Sequence, residues 1–130
     1  MAARPGSDMK LHYLDFDSSE DAQGNGSFEA MASVLPSRLP ALEAEVLQVL
    51  AWVHREAPGE RGALEEGGQW DYLLHAVQEV STPLAVHYAP GSSALDWQAG
   101  APGAPRVTLT LTLTGTPAFC AAFRQGFGLD

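Results

Sequence analysis

Four histidines, one cysteine and sixteen acidic side chains are the groups of this 130-residue chain best suited to chemistry. His75 and His87 are the most suggestive pair. They stand in two segments, Gln69 to Val80 and Pro83 to Ala89, that read as strands of a hairpin joined near Ser81-Thr82. Setting Glu79 opposite Pro83 sorts the side chains best, since a slip of one residue swaps every side chain to the other face. One face then collects Trp70, Tyr72, Leu74, Ala76, Leu84, Val86 and Tyr88. The other collects Asp71, His75, Val77, Glu79, Ala85 and His87. This register puts His75 directly opposite His87, with Cβ atoms about 4.5–5.5 Å apart. From there both imidazoles reach one divalent metal, and Asp71 or Glu79 adds an oxygen ligand of the kind zinc accepts. No other cofactor is implied.

Other chemistry finds less support. Cys120 would serve as a nucleophile only beside a histidine, and its neighbours Phe119, Ala121, Ala122 and Phe123 predict a buried, inert thiol. No Gly-x-Ser-x-Gly elbow occurs, and Gly24-Asn25-Gly26 lacks the third glycine and following helix of a dinucleotide fingerprint. The acidic stretch Asp15 to Asp21 invites calcium. Counted from Asp15, however, the EF-hand template meets Glu20 where it needs glycine and Gly26 where it needs glutamate. It reads as a solvated loop. His54, at the end of a helix, suits the dipole there.

The elements that must carry these residues follow from periodicity. Met9 to Phe16 reads as a strand, Asp17 to Gly26 as a turn closed by Asn25-Gly26, and Ser27 to Val34 as the returning strand. Ser37 to Glu56 is a helix capped by Ser37. Leu39, Leu42, Val46, Val49, Leu50 and Val53 mark its apolar face, Glu43, Glu45, Gln48 and Arg55 fall largely opposite, and Ala57-Pro58-Gly59 ends it. Ala89 to Pro105 is a loop, with Leu95 and Trp97 anchoring it or forming a short edge strand. An exposed Trp97 there predicts a protein contact. Arg106 to Thr114 alternates Val107, Leu109, Leu111 and Leu113 with Thr108, Thr110, Thr112 and Thr114, a strand whose threonine row meets water or a partner. Thr116-Pro117 starts a short helix that Gly126 and Gly128 end. The pattern predicts an α+β fold: an antiparallel sheet of four to six strands, one long helix on its apolar face and a short C-terminal helix. Residues 1–8 are expected to be a flexible leader and 9–130 a single domain.

Composition bounds the function. Seven basic against sixteen acidic residues leave a net charge of −9, which argues against binding nucleic acid or an anionic membrane. One cysteine excludes an internal disulfide framework and a multi-cysteine zinc site. A lone lysine with abundant Ala, Gly and Pro points to a GC-rich, bacterial coding sequence. The expectation is a cytoplasmic, non-catalytic interaction or regulatory module, steered by its charge to a basic protein partner. Its contacts would involve Trp97 and the row Thr108, Thr110 and Thr112. A ligand- or metal-binding domain using His75, His87, Asp71 and Glu79 is the alternative, and a hydrolase on the same residues a weaker one. Edge strands of so small a sheet need covering, which favours a homodimer.

Overall fold

A computed structural model describes residues 10–129; the leader expected over 1–8 lies outside the described residues. In chain order the elements are β1 (Asp17–Glu20), β2 (Gly26–Val34), α1 (Leu39–Glu56), β3 (Trp70–Glu79), β4 (Leu84–His87), β5 (Asp96–Ala99), β6 (Arg106–Gly115) and α2 (Pro117–Phe127). The class is α+β, as the periodicity predicts. Strand β6 is central because it alternates without interruption, and both neighbours run antiparallel to it in the order β1-β2-β6-β3. Phe28, Ala30, Ala32 and Val34 of β2 stand level with Leu113, Leu111, Leu109 and Val107 of β6. On the opposite face Glu29, Met31 and Ser33 stand level with Thr112, Thr110 and Thr108.

The helices cover only part of the apolar face. Leu42, Val46, Val49, Trp52 and Val53 of α1 join Phe119, Phe123 and Phe127 of α2 over β2 and β6. Phe123 packs against Phe28 and Phe127 with ring centroids 4.7 and 4.8 Å apart. Thr116 caps α2 by accepting the Phe119 N–H. Gly126 does not end α2 as expected: it lies buried inside it, where a Cβ would run into the Trp52 ring. Gly128, at φ 65°, is the terminator. Ser37 likewise does not cap α1. It belongs to a 3-10 turn, Pro36–Arg38, that leads into the helix at Arg38.

The N-terminal strand falls later than expected. Residues 10–16 are irregular, and β1 is formed by Asp17–Glu20 within the supposed turn. Two side chains explain the displacement. Glu45, 7% exposed, receives the backbone N–H groups of His12, Tyr13 and Leu14, which therefore cannot enter a ladder. Asp21 then closes a tight turn by accepting the N–H groups of Gln23 and Asn25, with Gly24 taking the positive φ.

The largest departure lies beyond β3. Strand β3 does not fold back on 83–89; it pairs with β6, and β4 pairs with β5. Ser81-Thr82 does not turn. Its chain stays extended, the Ser81 carbonyl accepting the Gly103 N–H at 2.7 Å and the Pro83 carbonyl the Gly100 N–H at 2.8 Å. The reversal comes at Ala89-Pro90-Gly91-Ser92. There proline presets the first central φ, Gly91 takes φ 89°, and the Ser92 N–H donates to the Ala89 carbonyl. Residues 70–87 and 96–115 are therefore the two sides of one long ribbon, whose outer part, 80–105, is an arm.

Candidate interaction surface

The ribbon undoes the expected histidine pair. His75 stands opposite Thr110 and His87 opposite Asp96. They lie twelve residues apart along the same side of the ribbon, roughly 40 Å of extended chain at about 3.3 Å per residue. The sequence register failed because it assumed a turn where no residue supplies turn geometry. Asp71 is engaged elsewhere. It accepts the Arg61 Nε–H at 2.8 Å and the Tyr72 N–H at 2.8 Å, and the Arg61 hydrogen bond holds its carboxyl below the usual carboxylate value. Among the described residues no three His, Cys, Asp or Glu side chains gather as a metal set.

Other expected residues do share a face. Thr108, Thr110 and Thr112, half-buried, line the open side of the sheet with His75 and Glu79. Glu79 and Thr108, with Ser33 and Arg106, border a shallow cleft of about 250 Å³ at the base of the arm. Arg106 is occupied within it, donating to the Ser33 hydroxyl at 3.0 Å and to the Ser33 carbonyl at 2.7 Å.

Trp97 lies on the arm, 59% exposed. It stands opposite Val86, while Leu84 stands opposite Ala99, so one arm face is apolar. Ala85, Gln98, His87 and Asp96 form the other. Every residue from Leu73 to Ala104 is exposed, including Leu84, Val86, Tyr88 and Leu95. A two-stranded ribbon is marginally stable alone in water, which makes this exposed apolar face a candidate contact surface.

A second apolar feature lies beside β3. The helices cover only the start of this strand, where Trp70 and Tyr72 meet His54 and Trp70 stacks on Phe119, and leave Leu74 43% exposed. Leu39, Val46, Leu47 and Leu50 of α1 face Leu74, Ala76, Val107 and Leu109 across a groove of about 340 Å³, in which Glu43 is the one charged lining residue. Sequence reasoning missed both features. The signal for the arm was present in Pro90-Gly91 and in Leu84, Val86, Leu95 and Trp97 at strand spacing. The groove had none, since it depends on where α1 lies over the sheet.

Cys120 is buried as expected, its Sγ donating to the Gly115 carbonyl at 3.6 Å, and burial pushes the thiol up. No helix among the described residues is long and apolar enough to cross a membrane. Comparison of the chain with protein-family models, curated proteins and solved structures found no match.

Proposed function

We propose that this protein is a non-catalytic interaction module whose contact surface is the apolar face of the arm. The observation that carries this reading is the run of exposed side chains on one face of the ribbon, Leu84, Val86 and Trp97 at its centre. Their desolvation by a partner supplies the driving force, at about 25 cal/mol per Å² of apolar surface covered. We place the protein's site of action in the cytoplasm on composition alone, since a single cysteine offers no internal disulfide framework of the kind small secreted domains use.

A charge-steered basic partner would meet the acidic body of the molecule. Between Val80 and Pro105 the only acidic or basic side chains are His87 and Asp96. Binding through the arm is accordingly expected to be nearly indifferent to salt between about 0.05 and 0.5 M, and binding through the body to weaken steeply.

The test is a photo-crosslinking amino acid at position 97, compared in the cells of origin with one at Gln48, exposed on α1. A discrete adduct from position 97 alone supports the reading. Equal labelling from both positions, or no adduct, overturns it.

A further inference from the structure

We infer that the partner of the arm is a second copy of this chain, each arm lying along the other's β3 edge and groove about a two-fold axis near Val80. This rests on the reading of the arm as a contact surface and names what covers it. The sheet has two ends, and they differ. The β1 edge is four residues long and carries Asp17 and Glu20, between Asp15 and Asp21; short, charged edges of this kind discourage pairing. At the other end β3 spans ten residues with no further strand beside it among the described residues, and β4 has β5 on one side only. Apart from a single bridge between Arg61 and Trp70, no described residue pairs with the outer edge from 70 to 87.

That edge suits strand pairing. Its one proline, Pro83, directs its carbonyl inward to Gly100. The N and C=O of one strand residue point to the same side, so the missing N–H also faces inward and the outer edge loses no donor. Charge permits self-association here as well. In a chain of net charge −9, His75, Glu79 and His87 are the only acidic or basic side chains between Tyr72 and Leu95, and Glu43 is the single charged residue lining the groove.

Parity supplies the complementarity. In β3 the even-numbered residues Leu74 and Ala76 lie level with Leu111 and Leu109, on the helix-covered side. In the arm the even-numbered Leu84 and Val86 belong to the apolar face. Two antiparallel copies meeting at Val80 set Leu84 beside Ala76 of the second copy and Val86 beside its Leu74. The arm's apolar face then turns into the groove under Leu47 and Leu50. A slip of one residue would turn it to the open side instead. The contact is isologous, so each copy gives an arm and receives one. A standard stable interface takes about 20–30 residues a side, a number that the arm, 80–105, and the groove together supply.

Val86, Leu47 and Met31 are each exposed in the single chain, 45%, 60% and 62%, so a charge at any of them leaves the fold intact. Circular dichroism checks this for Val86→Lys, Leu47→Lys and, as control, Met31→Lys on the open face. Native mass spectrometry and sedimentation of the full chain at micromolar concentration should give twice 13.8 kDa. Val86→Lys and Leu47→Lys should each raise the dissociation constant at least tenfold, and Met31→Lys should change it less than twofold. A wild-type monomer at about 100 μM overturns the inference, as does a dimer indifferent to both Val86→Lys and Leu47→Lys. If the purified chain is monomeric while position 97 crosslinks a different protein, self-pairing falls and the interaction reading stands. Absence of both dimer and adduct overturns both.

Discussion

Glu45, near the middle of α1, accepts the backbone N–H of His12, thirty-three residues earlier, at 2.7 Å. The same carboxylate takes the N–H groups of Tyr13 and Leu14 at 3.0 and 3.2 Å. A buried carboxylate without a basic partner would oppose folding, and these donors offset its lost hydration.

Replacing Glu45 by alanine leaves those N–H groups without their acceptor. Glu45→Ala is expected to destabilise the protein by about 2–4 kcal/mol, the range for losing charge-assisted hydrogen bonds and stranding their donors. Glu45→Gln keeps one acceptor oxygen and should cost less. Urea denaturation gives the magnitude, and amide exchange at 12–14 should accelerate first. Unchanged exchange there would contradict the role given to Glu45.

Gly126 faces the Trp52 ring with no room for a methyl group. Alanine gains about 1 kcal/mol of helix propensity but must displace the indole, at about 1–3 kcal/mol. Gly126→Ala is therefore expected to lower the melting temperature, although the same change inside an open helix raises it. Near-ultraviolet circular dichroism should register the movement of Trp52.

Asp71 has its carboxyl lowered, first by the hydrogen bond from Arg61 and then by the Tyr72 N–H. A lowered folded value means stability that is present above the ordinary carboxylate range and is lost as pH falls through the folded value, below 3.8. The pair is exposed, so the effect on stability is small and screened by salt. By NMR, Asp71 should titrate below 3.8 in the wild type and move upward in Arg61→Gln. No such movement would show that Arg61 does not set it.

Cys120, buried and pushed up by desolvation, is neutral near pH 7. A soluble disulfide reagent should leave it unmodified in the native protein and label it fully in urea. Rapid native labelling would contradict its burial.

The ribbon shows where sequence reading succeeded and where it did not. Alternation in β6 and the apolar face of α1 were legible because each repeats over many residues, and so were the α+β class and the threonine face. The register at His75 was not. Side-chain sorting fits two arrangements equally well: a hairpin closing at Ser81-Thr82, and a ribbon running on to Pro90-Gly91. Turn geometry distinguishes them, since Gly91 adopts positive φ and Ser81-Thr82 has no residue that does so readily.

By itself, then, the sequence determined which faces are apolar, where α1 and α2 form, that Cys120 is core, and that Trp97 is free to make contacts. These follow from local period and residue type, properties that survive in any tertiary arrangement. Only the tertiary structure decided that β3 has β6 and not β4 as its neighbour, that Glu45 turns inward to hold 12–14, and that α1 leaves a groove beside Leu74. Each depends on groups far apart in the chain. Their meeting is settled by which backbone donors find acceptors and which apolar surfaces find cover, a competition among all the elements at once.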